Sequence, residues 1–343
     1  MNHAEFQGSH YEIGFQWGAL LAEHGNFILH HVPFAVTKER IDFAAACVPI
    51  YQKYFPEILE EIQGLAHGQK EDVRLFQAVL FSMYAMVPGC RCSCFAVSNG
   101  EQIFLGRNSD FLTELEEQYL NVIYHTADSF LGNSFTGNTT AFIEMEDGIN
   151  EHGLSVGLTS VYPHRIQPGI NAGMLVRLFL EKCRTVRQAI KLLERIPVSS
   201  AQTLTMADAA GEICVMECNA DRLDIITPSK DVPFVCATNV FHSKAMAPYA
   251  FTGIDTWVAE PRYQTMNSFL RKQARRMGVS DAMELLMGNH GFLCQYDRAT
   301  GKDTVWSAVY DIKGRKIYRA EGNPGKTKFL EDERFLLPNK NRT

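Results

Sequence analysis

The sequence predicts an α+β fold in which antiparallel sheets are covered by helices, opened by a helical N-terminal segment. Three observations predict it. Apolar residues recur at helical spacing through roughly the first 90 positions. After Arg91 the pattern turns to alternation, punctuated by turn dipeptides. The candidate elements then fall into blocks (strands, two helices, strands, two helices, strands) and not into the strict βα alternation of a parallel sheet.

Taken in order, Ser9 and Glu12 form a capping-box pattern that opens a first helix. Ile58, Leu59, Ile62 and Leu65 recur at helical spacing, with Gly68 following as a stop. A third helix is expected from Asp72 to Met86. Pro88-Gly89 ends it, because the residue before a proline is pushed out of the helical region. Cys92 to Ser98 alternates as a strand. Asn99-Gly100 signals a hairpin, since both residue types tolerate positive φ, and Gln102–Arg107 returns. Leu120–His125, Thr140–Met145 and Leu154–Ser160 are further strand candidates. Helices over Ala172–Cys183 and Thr185–Glu194 precede strands at Thr203–Met206, Ile213–Glu217, Leu223–Ile226 and Phe234–Thr238. Helices at Pro261–Met277 and Asp281–Met287 lead to a closing hairpin, Thr304–Tyr310 with Lys316–Arg319. No internal repeat or low-complexity tract interrupts this order, and the C-terminal tail is polar.

At 343 residues and 46% hydrophobic, the chain can bury a full core. A net charge of −6 offers no basic excess for nucleic acid, so a small-molecule substrate is expected. The longest apolar stretch, Leu75 to Val87, falls short of the ~18 residues a membrane span needs and reads as a buried helix. No membrane partner is expected, and the N-terminus carries no signal-peptide pattern. Nine irregularly spaced cysteines do not make a disulfide framework in so long a chain and point to a reducing cytoplasm. The oligomeric state is open, a homo-oligomer included.

Chemistry concentrates in Gly89-Cys90-Arg91-Cys92-Ser93-Cys94, which folds back through the hairpin onto Gly106-Arg107-Asn108-Ser109-Asp110. The thiolate is the nucleophilic form of cysteine, and Arg107 beside Cys92 would stabilise it. Asp110 could orient whichever amine takes the proton. Other readings stand beside this one. Three cysteines at period two suit a buried strand, and Arg107 with Asp110 suits a surface pair worth ~0–1 kcal/mol. The same run admits a metal, although tetrahedral zinc sites usually take Cys-x₂-Cys knuckles.

These residues resemble the N-terminal nucleophile (Ntn) hydrolases, and within them the acyl-coenzyme A:6-aminopenicillanic acid acyltransferase family, related to choloylglycine hydrolases and penicillin V acylases. The family motif is Cys followed by Thr or Ser, then Gly-Arg-Asn-x-Asp. Here it reads Cys92-Ser93 … Gly106-Arg107-Asn108-Ser109-Asp110. Gly8-Ser9-His10-Tyr11-Glu12-Ile13-Gly14 is similar to the family's N-terminal helix signature, and Asn150-Glu151-His152-Gly153-Leu154 to its Asn-Glu-x-Gly-Leu turn. Thr238-Asn239, Pro261-Arg262-Tyr263 and the hairpin from Thr304 to Asp311 follow in the family order.

The resemblance implies a four-layer αββα sandwich over residues 92–343, preceded by a helical pro-segment over 1–91. It implies self-cleavage before Cys92, so that the freed α-amine, of pKa about 7.7–8, serves as general base for its own thiol. Cys92 would then attack an amide, linear or cyclic, and pass the acyl group to water or an amine, with no cofactor and no metal. Arg107 would neighbour the nucleophile, Asp110 hold the α-amine, and Asn239 donate to the oxyanion, a role worth ~3–4 kcal/mol. Arg262 would brace the set. Thr159 stands where related hydrolases often carry an Asn with a second oxyanion contact.

Cys90, after Gly89, rivals Cys92. Ser93 follows Cys92 as the motif asks, whereas Arg91 follows Cys90, and Asp110 lies eighteen positions from Cys92 against twenty from Cys90, the shorter spacing being the family's. A Cys-His hydrolase using His242 without self-cleavage is an alternative, as is a binding protein that kept the fold and lost the chemistry. His290 is a further histidine that could line a pocket. Gly322-Asn323-Pro324-Gly325-Lys326-Thr327 imitates a phosphate loop but has Ala320 where the pattern needs Gly.

Overall fold

The computed structural model describes residues 1–86, 91–126, 132–229, 231–335 and 337. Pro88, Gly89 and Cys90 therefore lie outside the described residues. The chain opens with an extended strand, β1 (Asn2–Gly8), before α1 (His10–Glu23). Ser9 caps α1 as its pattern asks: its hydroxyl accepts from the Glu12 amide, and the Glu12 carboxylate accepts from the Ser9 amide. α2 (Lys38–Tyr54), α3 (Pro56–Gln69) and α4 (Val73–Ser82) follow.

Gly68 does not stop α3. The helix runs past it to a left-handed Lys70. Gly68 instead lets α1 and α3 touch backbone to backbone: a Cβ there would lie 2.6 Å from the Ala19 nitrogen.

The strands then come in the expected blocks. First are β2 (Arg91–Ser98), β3 (Ile103–Leu112), β4 (Leu120–Thr126), β5 (Phe135–Thr139), β6 (Asp147–Asn150) and β7 (Ser155–Ser160). Helices α5 (Ala172–Lys182) and α6 (Val186–Leu193) precede β8 (Gln202–Ala207), β9 (Ile213–Cys218), β10 (Leu223–Ile226) and β11 (Phe234–Ala237). Last come α7 (Ala259–Gln273), α8 (Val279–Leu286), β12 (Lys302–Asp311), β13 (Lys316–Ala320) and β14 (Leu330–Glu331).

One strand expectation fails. Thr140–Met145 is the turn between β5 and β6. Ala141, Ile143 and Met145 alternate in apolarity, but Phe142 takes φ 58° and the Thr139 hydroxyl holds the Ala141 amide, which closes the backbone into a turn.

The strands form an 8-stranded sheet ordered β1-β4-β5-β6-β7-β8-β9-β10 and a 6-stranded sheet ordered β11-β2-β3-β12-β13-β14. β1 joins β4 in parallel, and the other paired strands are antiparallel. Period-two alternation gives each strand two faces to bury. Cys94, Ala96 and Leu105 meet Ala207, Val215 and Ile149 between the sheets. Phe95, Val97 and Phe104 turn the other way, onto Met266, Leu270 and Leu285 of α7 and α8. On the far side of the larger sheet, Val156, Leu158 and Leu204 pack with Leu175 and Phe179 of α5, together with Trp17, Ile62 and Phe81 of the N-terminal helices. Three cores between four layers make an αββα sandwich. No helix among the described residues is long and apolar enough to cross a membrane.

Candidate active site

The β2–β3 hairpin sets the register of the site. Gly100 takes φ 90°, and the Asn99 carboxamide oxygen accepts from the amides of Glu101 and Gln102. With the turn fixed, Ser98 faces Ile103. Pairing then runs outward until Cys94 lies across from Arg107, Cys92 from Ser109 and Arg91 from Asp110. Cys92 therefore sits at the strand's start, where groups from both faces of the sheet can reach it.

Arg107 comes from the inner face, between the sheets. Its Nη2 donates to the Cys92 Sγ at 2.7 Å. The same guanidinium donates to the Leu158 carbonyl (3.0 Å), Asp147 (2.6 Å) and Glu146 (3.1 Å). All three charged groups are fully buried, so each depends on the others to offset its lost hydration. Gly157 makes the room: a Cβ there would stand 2.5 Å from the Cys94 sulfur and 3.2 Å from the Arg107 Cδ.

Arg262 comes from the outer face, on the first turns of α7. Its Nη1 donates to the Cys92 carbonyl (2.6 Å) and the Ser93 hydroxyl (2.9 Å) and lies 3.2 Å from Asp110. Its Nη2 donates to the Asn239 Oδ1 (2.8 Å), which also accepts from the Cys92 amide (2.9 Å). Two donors on Oδ1 fix the carboxamide's orientation. Its Nδ2 consequently points to the Ser160 carbonyl at 2.8 Å. Arg262 also holds the carbonyls of Thr256 and Trp257, next to Trp257 and Val258 at φ 52° and 54°. Consecutive left-handed residues are costly, and a buried guanidinium that ties down the turn explains why they persist.

Cys92, Arg107, Asp110, Asn239 and Arg262 thus form one cluster. Asp110 joins it through Arg262, because register puts Asp110 on the face opposite to Cys92. Its other partners are Thr304 (2.6 Å) and Tyr296 (3.0 Å). Burial pushes the Asp110 carboxyl up, and Arg262 and these hydroxyl donors only partly oppose it. Thr159 reaches the site indirectly. Its hydroxyl donates to the Thr238 carbonyl (2.8 Å) and so braces the turn that carries Asn239.

Four contributors carry no sequence signal at the Cys92 motif. Glu146 accepts from Arg107 and Ser109 on one oxygen, and from Tyr84 and Thr140 on the other. Tyr84 belongs to the N-terminal segment and takes φ 44°. Asp147 accepts from Arg107 and, at 3.0 Å, from the Trp306 indole. Tyr296 completes the set. The acidic pair Glu146-Asp147, a few residues before the Asn150-Glu151-His152-Gly153-Leu154 turn, was the available clue to both.

The rival residues lie elsewhere. His242 stacks on Tyr263 at 3.4 Å and faces Glu260 at 3.9 Å, with no hydrogen bond to Cys92. His290 stacks on Phe269. Cys94 faces the intersheet core, where burial pushes its thiol up to about 12 although Arg107 opposes the shift. Cys183, Cys214, Cys218, Cys236 and Cys294 are likewise pushed up to about 12 by burial. Gly322–Thr327 is a loop with no helix after it among the described residues. His10, Glu61 and Glu181 converge within 4.8 Å, but Arg177 donates to both carboxylates (2.8 and 2.6 Å) and occupies the place a cation would take.

The sequence profile of the acyl-coenzyme A:6-aminopenicillanic acid acyl-transferase family matches residues 97–326, about two thirds of the chain, and so spans Arg107, Asp110, Asn239 and Arg262. No curated protein matches the chain. Among solved structures, the chain is similar to a mutant conjugated bile acid hydrolase from Clostridium perfringens, at 12% identity and TM-score 0.50, over 73% of this chain and 95% of that one. An N-acylethanolamine-hydrolyzing acid amidase ortholog from Caenorhabditis elegans is similar at 18% identity and TM-score 0.48, over 65% and 93%. Penicillin V acylase from Agrobacterium tumefaciens is similar at 15% identity and TM-score 0.46, over 67% and 83%.

Proposed function

Because the chain belongs to the acyl-coenzyme A:6-aminopenicillanic acid acyl-transferase family and is an enzyme of the Ntn amide hydrolase and acyltransferase type, we propose that it works through Cys92, exposed as a new N-terminus by cleavage of the Arg91–Cys92 bond. The observation that carries this reading is the 2.7 Å contact of the Arg107 guanidinium with the Cys92 sulfur inside a fully buried cluster. It supplies positive charge where a thiolate forms.

In self-cleavage, the Cys92 sulfur attacks the Arg91 carbonyl carbon. The carbon–nitrogen bond breaks, the nitrogen leaves as the Cys92 amine, and water hydrolyses the resulting thioester. In turnover, the freed amine takes the thiol proton as sulfur attacks the substrate's amide carbonyl. The tetrahedral intermediate expels the substrate's amine, which takes a proton in leaving. Water or an acceptor amine then removes the acyl group from sulfur. Arg262 and Asn239, already on the Cys92 carbonyl and amide, hold this residue while its nitrogen changes from amide to amine. Asp110 acts through Arg262. Oxyanion donation by Asn239 requires its Nδ2 to leave the Ser160 carbonyl. The substrate is a small-molecule amide or acyl donor, linear or cyclic.

Intact mass and N-terminal sequencing of the purified protein test this. Pieces spanning 1–91 and 92–343 are expected, with Cys92 first in the larger and a single uncut chain in Cys92→Ala. Iodoacetamide near neutral pH should modify Cys92 before the other thiols. An amidase that stays active as Cys92→Ala would sink the proposal.

A further inference from the structure

A cavity of about 470 Å³ lies between the N-terminal segment and the larger sheet, and none of the residues around Cys92 lines it. Its size is within the usual range for small-molecule sites. Phe6, Trp17, Leu20 and Phe142 give it an apolar wall, and Glu114 and Glu117 stand on its rim. Leu20 is 49% exposed, a large apolar side chain left at the mouth. Phe142 takes φ 58°, a conformation that large side chains seldom hold and that recurs at ligand clamps. Neither rim carboxylate has an ion-pair partner among the described residues; the ion pair on that turn goes through Glu116 to Arg298. The other titratable groups on the wall are His3 and His31, and His3 already faces Glu321 at 2.8 Å.

We propose that this cavity binds an amphiphilic amine. The apolar body enters between Trp17, Phe6 and Phe142, and the ammonium stays at the rim between Glu114 and Glu117. An apolar wall alone would take any alkyl chain. The two carboxylates select the cation and reject a fatty acid, whose carboxylate they would repel. Thr140 lies on the same wall and donates to Glu146 at 2.7 Å, which puts the occupant one side chain from the cluster around Cys92.

Calorimetric titration of the full chain at pH 8 with octylammonium, octanol and octanoate tests the proposal without requiring any turnover, so it stands apart from the reading of Cys92. Octylammonium is expected to bind saturably at one site, with octanoate weaker by roughly tenfold or more. Glu114→Gln with Glu117→Gln, both exposed, should weaken octylammonium by about five- to tenfold and leave octanol unchanged. Leu20→Arg should abolish octylammonium binding. Octanoate binding as tightly as octylammonium, an unaffected double variant, or no saturable uptake would each overturn it.

Discussion

Arg262 carries more of the site's geometry than the nucleophile does. One planar fork touches the Cys92 carbonyl, the Ser93 hydroxyl, Asn239 and Asp110, and its Nε holds the strained turn behind it. A lysine keeps the charge beside Asp110 but offers a point donor in place of the fork. Arg262→Lys is therefore expected to fold with a modest loss of thermal stability while self-cleavage slows by about a hundredfold, because the Cys92 backbone, and with it the attacking thiol, is no longer held in line. Time courses on denaturing gels check this, and an unchanged rate would mean that the guanidinium only fills space. This is also the scale at which the sequence was most legible. Cys92, Arg107, Asp110, Asn239 and Arg262 sit in motifs whose order marked them. Tyr84 and Tyr296 were not legible, because each reaches the site from a turn or loop whose path no local pattern encodes.

The crossing of α1 and α3 shows what element-scale reading recovers and misses. Apolar spacing found α3, and the capping box found α1. The glycines were harder, because a glycine that ends a helix and one that lets two helices touch look alike in sequence. Here Gly14 and Gly18 on α1 face Gly64 and Gly68 on α3. A Cβ on Gly64 would lie 2.1 Å from the Tyr11 carbonyl oxygen, and one on Gly14 2.0 Å from that of Glu61. Both obstacles are backbone, so the helices themselves must separate. Gly64→Ala gains ~1 kcal/mol of helix propensity and still should lose about 2 kcal/mol net through overpacking. Gly278→Ala, whose nearest neighbour would be 3.9 Å away, is the control and should lose less. Thermal unfolding of the two variants decides between close packing and mere flexibility. β1 and α2 escaped for a related reason. β1 earns its place only by pairing with β4, which is remote in sequence, and α2 carries Pro49 in its interior.

Across the whole molecule, residues 1–91 and 92–343 share one apolar core and one buried ion network. His10 and Glu61 come from the N-terminal helices, and Arg177 and Glu181 from α5. Arg177 lies over the Tyr124 ring, whose hydroxyl donates to Glu61. Burial alone would lower the His10 pKa. The charge and hydrogen bond of Glu181, 3.1 Å away, together with the charge of Glu61, outweigh that and raise it, against opposition from Arg177. Glu181 behaves conversely: burial raises it, but Arg177 and His10 bring it down to about 2. Burial holds Glu61 above its ordinary value. Protonated His10 therefore contributes stability in full below the unfolded imidazole value of about 6.5. That contribution is lost as pH rises through the higher folded value. The Glu181 contribution is present above the ordinary carboxylate range and fades only as pH falls toward about 2. His10→Gln removes the titrating partner and leaves the rest of the network in place. In the uncut Cys92→Ala background, the urea midpoint of the His10 chain should exceed that of His10→Gln most below pH 6, and the gap should narrow steadily above neutrality. A gap that stays constant from pH 5.5 to 9 would show that His10 is held there for its shape and not for its charge.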